Sequence, residues 1–183
     1  TKKVNDHLDI SRIESGVRLK IEQVSPVLIV EQVVNLLQPV ALQKNIEISI
    51  DADGIGDLAI EADVEMLNQA VFNLVENAIK FTPMAGKVGI HLTASEKTIL
   101  FEIRDTGIGV APLDRPHIFD KFYRSNRRES YRNHGTGLGL AIVKSIAERH
   151  NGQAWVDSKL GRGSSFFLEI PRINSPDVEK SGT

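Results

Sequence analysis

Apolar positions recur along this chain with two periods, near 3.6 and near 2, and the order in which they alternate predicts a mixed α/β domain. Leu8, Ile10 and Ile13 within Val4–Ser15 suit the end of a helix that stops at Gly16. Leu19–Val24 reads as a short extended stretch. Ser25 is placed to cap a helix with Pro26 at its first position. That helix is expected to reach about Gln43 and to bury Ile29, Val33, Leu36, Leu37 and Val40, with Pro39 bending or interrupting it late. Ile46–Ile50 alternates as a strand with one wet face, Asp51–Gly56 is turn chemistry, and Leu58–Ile60 suits a short strand. Asp63 opens a second helix that continues to about Phe81 and is ended by Pro83. Lys87–Thr93 and Thr98–Arg104 form a hairpin through Ala94–Lys97. Leu138–His150 is a third helix, with Leu140, Val143, Ile146 and Ala147 as its apolar stripe and Asn151-Gly152 as its stop. Gln153–Ser158 and Gly163–Ile170 are the last strand pair, and the tail after Pro171 is too poor in apolar residues to fold. Strict strand–helix alternation is absent. The expectation is therefore helices gathered on one face of a mixed sheet, which argues against a dinucleotide or P-loop fold.

Composition narrows the classes. The 183 residues suit one domain plus an appendage. A hydrophobic share of 41% and a charged share of 25% are those of a chain with a folded core. A formal net charge of -2 and 5% aromatic residues give no pull toward nucleic acid. With zero cysteines there is no disulfide, thiolate nucleophile or cysteine metal site. This fits a cytoplasmic domain. No signal-peptide pattern or unbroken run of about 18 apolar residues occurs, which leaves open a membrane-anchored parent. The chain opens inside what reads as a helix, as an excised fragment would.

On the second helix Asn73, Asn77 and Lys80 share one narrow polar stripe, about 60° wide at 100° per residue. Leu67, Val71, Leu74 and Ala78 form the apolar stripe beside it, with Val64 and Val75 further round. Asparagine is a poor helix former, so two of them one turn apart ask for a reason beyond solvent exposure. Carboxamide oxygens suit Mg²⁺, and a lysine one turn on suits phosphate oxygens.

Arg104–Gly109, RDTGIG, puts the Asp105 carboxylate at a strand end before a glycine loop holding Gly107 and Gly109. A carboxylate there can accept from an exocyclic amine, which favours adenine over guanine. A plain turn with Asp105 bonding its own backbone is the simpler alternative. An aspartic protease, which also carries Asp-Thr-Gly, would need a matching second loop that this chain lacks. Gly135–Leu140, GTGLGL, sets Gly135, Thr136, Gly137, Leu138 and Gly139 at a helix start, where backbone N–H groups attract phosphate. Between Lys121 and His134 stand five Lys/Arg (Lys121, Arg124, Arg127, Arg128, Arg132) and one acid, Glu129. Such a segment suits a lid over a polyphosphate, with Arg124 singled out and Tyr123 against base or ribose; a solvated charged loop is the alternative, and the favoured one for most of these arginines. Phe119 and Phe122 are expected to anchor that lid to the core. His117, His134 and His150 show neither metal spacing nor a close acidic partner. The Gly161–Phe166 turn is expected to support the phosphate loop from beneath.

These stretches, in this order, resemble the ATP-binding catalytic domain of bacterial sensor histidine kinases, in the superfamily shared with gyrase, Hsp90 and MutL. The resemblance spans about Val24–Ile170 and rests on five boxes: Asn73–Thr82, Asp105–Gly109, Phe119–Arg124, Gly135–Leu140 and Gly161–Phe166. It implies a two-layer α/β sandwich with a mixed sheet of about five strands and helices on one face. It implies Asn77 as Mg²⁺ ligand with Asn73 as its helper, Lys80 and Arg124 on phosphates, Tyr123 beside the nucleoside and Asp105 on adenine, with ATP and Mg²⁺ as cofactors. Asn73 stands where the ATPase relatives carry a water-activating glutamate, which points to slow hydrolysis. Glu76, next to Asn77 but off the polar stripe, is the candidate for assisting the attacking histidine. Residues 1–18 resemble the end of the second dimerisation and phosphoacceptor helix, 19–171 the catalytic domain and 172–183 a disordered tail. The implied partners are the chain's own dimerisation domain, a second subunit in the full-length protein and a response regulator, with no nucleic acid. His7 falls on the wrong helix to be the phosphoacceptor, so this fragment would lack that histidine. A degenerate binding module, an ATPase with a downstream transducer domain and a serine/threonine kinase of the anti-sigma type are the rivals.

Overall fold

A computed structural model describes residues 18–124 and 136–172. The segments 1–17, 125–135 and 173–183 lie outside the described residues, and with them the expected N-terminal helix remnant, most of the lid, His134, Gly135 and nearly all of the tail.

Among the described residues three helices cover one face of a five-stranded sheet. The order is β1 (Ile21–Val24), α1 (Pro26–Gln43), β2 (Glu47–Asp51), β3 (Ile60–Asp63), α2 (Val64–Phe81), β4 (Lys87–Ala94), β5 (Thr98–Asp105), α3 (Gly139–Arg149), β6 (Gln153–Lys159) and β7 (Gly163–Pro171). Strands are arranged β2-β4-β5-β7-β6, with β2 parallel to β4 and every other pair antiparallel, so the sheet is mixed. β1 and β3 form a separate antiparallel pair. α2 packs between α1 and α3. Inward residues of the central strands, Val88 and Ile90 of β4, Ile99, Phe101 and Ile103 of β5 and Leu168 and Ile170 of β7, are fully buried beneath the helices. The helices lie on one face of a mixed sheet, as the element order suggested, and the architecture is the two-layer sandwich that the resemblance implied.

Local chemistry explains the helix starts. Ser25 is extended, and its hydroxyl accepts from the Leu28 N–H at 3.4 Å, with Pro26 at the first helical position. Asp63 does the same for α2, accepting from Met66 N–H at 3.1 Å. α3 ends in Asn151 at φ 56, a left-handed position that asparagine tolerates.

Several expectations need correction. Pro39 stands inside α1, which runs on to Gln43. Leu36 and Val40 are 66% and 47% exposed. The buried row is Ile29, Val33, Leu37 and Ala41, together with Val30, because only one side of α1 faces α2 and the sheet. α1 has more apolar side chains than a two-layer fold can cover. By length and composition alone it would also span a membrane, yet this row packs into the core. The third strand is Ile60–Asp63 rather than Leu58–Ile60, since it pairs with β1 and runs directly into the α2 cap. In α3, Ala141 and Ile142 are buried, whereas Leu140 at the edge of the stripe is only half-buried. Phe119 packs against the core, but Phe122 is 59% exposed and takes φ 62, so it is no anchor.

Candidate nucleotide-binding site

α2 is the spine of the site. Its N-terminus is tied down three times. Asp63 accepts from the Lys20 N–H at 2.9 Å as well as from Met66, and the Asp63 N–H donates to His150 Nε2 at 3.0 Å. His150 is fully buried and donates Nδ1–H to the Ile146 carbonyl at 2.8 Å, so Nε2 is the bare, accepting nitrogen. Burial holds its pKa below the ordinary 6.5. Along the spine Leu67, Val71, Leu74 and Ala78 are buried, while Asn73, Glu76, Asn77 and Lys80 are half-buried beside them. The predicted polar stripe is therefore real, and it borders the core rather than open solvent.

The first glycine loop meets the C-terminal end of this spine. Asp105, at the end of β5, is 6% exposed and accepts the Gly107 N–H at 2.7 Å. Burial pushes its carboxyl above the ordinary 3.8, against the pull of the Gly107 and Ser164 amides. The local turn bond weighed at the outset thus exists, in a buried setting. A Cβ on Gly107 would lie 2.6 Å from the Phe81 carbonyl oxygen, and one on Gly109 (φ 68) would collide with the Lys159 carbonyl. Ile108 donates to the Phe81 carbonyl at 3.3 Å and accepts from Gly161 N–H at 2.7 Å. Val110 N–H donates to Ser158 Oγ at 2.7 Å, and that hydroxyl donates on to the Gly163 carbonyl at 3.0 Å. The Gly161–Phe166 turn therefore braces the first glycine loop, not the phosphate loop as expected.

The second loop meets the middle of the spine. Within it Thr136 Oγ1 accepts from Leu138 N–H at 3.4 Å. Gly137 takes φ 74, its carbonyl accepts from Phe122 N–H at 2.9 Å, and a Cβ there would lie 2.9 Å from the Tyr123 carbonyl oxygen. Leu138 has its side chain wholly in the core, so only its backbone is on offer to a ligand. A Cβ on Gly139 would lie 3.3 Å from Asn73 Oδ1. α3 begins without a side-chain cap, leaving its first-turn N–H groups to other acceptors.

Tyr123 donates its hydroxyl to Asp114 Oδ1 at 2.8 Å, which raises its pKa, and its ring lies 5.5 Å from His117. His117 Nδ1 is 3.0 Å from Asp120 Oδ2, so this histidine does have an acidic partner, on the protein surface. Arg124 is exposed at the edge of the described chain. No group of three or more His, Cys, Asp or Glu side chains gathers for a metal among the described residues. Ser158 is a support that the sequence did not single out, and His150 is one that it named without finding its partner.

Residues 62–174 match the family of histidine kinase-, DNA gyrase B- and HSP90-like ATPases. The chain belongs to this family. It is a histidine-kinase-type catalytic domain, homologous to those of bacterial sensor histidine kinases. It is 41% identical over 138 residues to the sensor histidine kinase RppB of Synechocystis sp., covering 75% of this chain and 30% of RppB. It is 34% identical over 171 residues to the sensor-like histidine kinase SenX3 of Mycobacterium tuberculosis, covering 93% and 41%. Among solved structures, full-length ShkA in complex with AMPPNP superposes with a TM-score of 0.83 at 34% identity, covering 93% of this chain and 35% of ShkA. The catalytic domain of histidine kinase ThkA gives 0.75 at 26% identity, covering 85% and 98%. The chain thus spans under half the length of these curated relatives. Family membership supports ATP binding and a kinase-type signalling role.

Proposed function

We propose that this domain binds ATP–Mg²⁺ across α2 and the two glycine loops, and that in the full-length protein it presents the γ-phosphoryl to a histidine of the dimerisation domain. The observation that carries this reading is the division of α2 between the loops: Asn73 lies against Gly139, Phe81 against Gly107, and Asn77 and Lys80 stand on the helix between them. Asp105 accepts the adenine amine, while Gly107 and Gly109 leave the ring room to approach. Asn77 supplies the oxygen for Mg²⁺, assisted by Asn73. Lys80, Arg124, Thr136, Gly137, Gly139 and the Leu138 backbone face the phosphates, and Tyr123 borders the nucleoside. The ion's chemistry is charge neutralisation across phosphate oxygens.

In transfer, a histidine nitrogen forms the new P–N bond as the bond to the ADP oxygen breaks and ADP leaves. Glu76 is the candidate to take or orient the histidine's proton. The phosphoryl group then passes to a response-regulator aspartate. The partners are accordingly the parent's dimerisation domain, its second subunit and a response regulator; a membrane anchor, if the parent has one, lies outside this domain.

Titration with ADP and ATP, with and without Mg²⁺, tests the site. Asp105→Asn is expected to lose affinity or adenine selectivity, and Asn77→Asp to alter the metal dependence. Unchanged binding in both variants contradicts the assignment. Joining the domain to a phosphoacceptor domain is expected to yield acid-labile phosphohistidine, and hydrolysis by the isolated domain should fall far below the roughly 10 per second of a typical enzyme.

A further inference from the structure

Lys44, the residue after α1, reaches the far end of α2. Its ammonium donates to the carbonyls of Ile79 at 2.6 Å, Lys80 at 3.1 Å and Thr82 at 2.5 Å. An ammonium has three protons, and all three are used. Its own carbonyl accepts from Ala85 N–H at 2.9 Å, so side chain and backbone both grip the turn after α2. The last carbonyls of a helix lack partners within the helix and carry its negative pole, which a cation satisfies.

How these carbonyls are shared out is the informative point. Ala78 receives Thr82 from within the turn, and Ile79, Lys80 and Thr82 turn to Lys44. The one remaining, Phe81, receives Ile108 N–H of the first glycine loop at 3.3 Å and sits where a Cβ on Gly107 would lie 2.6 Å away. Burial lowers the Lys44 pKa, since desolvation disfavours the charged ammonium.

We propose that Lys44 is a positioning residue of the nucleotide site: by holding the neighbouring carbonyls it aims that of Phe81 at Ile108 and so sets the base-reading loop against α2. This rests on the nucleotide reading above. Lys44 touches no nucleotide and acts through the helix end. Its backbone grip on Lys80 also fixes where that side chain starts.

The test is ADP–Mg²⁺ titration of the whole chain as wild type, K44M, K44R and I99V, at a temperature where each is folded, with hydrogen exchange of the Ile108 amide read alongside. Ile99 is buried at the other end of β5 from Asp105, so I99V serves as a destabilised control. K44M is expected to lose about tenfold in affinity, the equivalent of one hydrogen bond, with faster exchange at Ile108. K44R and I99V should stay within about twofold of wild type. Should K44M fail to fold, K44Q, which keeps a donor without the charge, is read in its place and is expected to bind more weakly than K44R, by less than about tenfold. A folded K44M or K44Q that binds like wild type with Ile108 exchange unaltered overturns the proposal, as does an I99V that loses as much affinity as K44M. Absence of ADP binding in wild type would instead overturn the nucleotide reading itself.

Discussion

The two glycine loops are built differently, although both turn on bare backbone. The first is stitched on two sides: α2 holds it through the Phe81 carbonyl, and the β6–β7 turn holds it through Gly161 and Ser158. At both Gly107 and Gly109 a side chain would run into main-chain atoms. The second has one cross-loop backbone bond among the described residues, Phe122 N–H to the Gly137 carbonyl; a Cβ on Gly137 would also meet main chain, 2.9 Å from the Tyr123 carbonyl oxygen, whereas one on Gly139 would have the Asn73 carboxamide as its nearest neighbour. On the nucleotide reading proposed above, the planar base would meet the more heavily stitched of the two loops, and the polyphosphate with its ion would meet the amides and carboxamides of the other.

Glycine replacement breaks this contrast most sharply. Gly109→Ala, at φ 68 and against the Lys159 carbonyl, is expected to cost roughly 3 kcal/mol of folding stability along with nucleotide binding. Gly139→Ala meets only a side-chain oxygen at 3.3 Å, so it should cost under about 1 kcal/mol yet weaken nucleotide binding by displacing Asn73. Urea unfolding and ADP titration of both variants separate the effects. Equal stability losses would erase the distinction between the loops.

Ser158→Ala is the next largest. It leaves the Val110 amide and the Gly163 carbonyl without the hydroxyl that joins them, at a cost of about 1–2 kcal/mol. Faster hydrogen exchange is predicted at Val110 and not at Gly139; uniform exchange across both loops would show that the brace is not local.

The smallest effect is a pH dependence set by His150, which lies outside both loops. His150 has a folded pKa lowered chiefly by burial, with Arg149 adding and the Ile146 carbonyl and Asp63 opposing. The unfolded chain therefore takes up the proton first. Stability is full above the ordinary pKa of 6.5 and declines as pH falls from there through the folded value. His150→Gln should flatten that slope in denaturation curves recorded across the range, and an unaltered slope would assign it to another group.

What the sequence revealed was whatever is encoded within one turn of helix or one loop. The caps at Ser25 and Asp63, the Asn73–Asn77–Lys80 stripe and the glycines of the two loops all declare themselves by spacing alone. The supports did not, because their partners are remote in the chain. Asp63 and His150 are 87 residues apart, Val110 and Ser158 48, and Lys44 and Thr82 38. A serine, a histidine and a lysine are unremarkable until the fold supplies the carbonyl or amide that each one meets. Periodicity also overstated the buried face of α1: it counts Leu36 and Val40 as core, but burial depends on which neighbours are present. Phe122 is a third case, since nothing in the residues around it signals a left-handed backbone.

The central claim is that α2 and both loops act on one ligand. Amide chemical shifts of Gly107, Gly109, Gly137 and Gly139, with the Asn77 side-chain amide, followed together through an ADP–Mg²⁺ titration, test it most directly. The account predicts that all five move along one saturation curve with one dissociation constant. Separate midpoints for the two loops, or an Asn77 signal that stays still while the glycines shift, would contradict it.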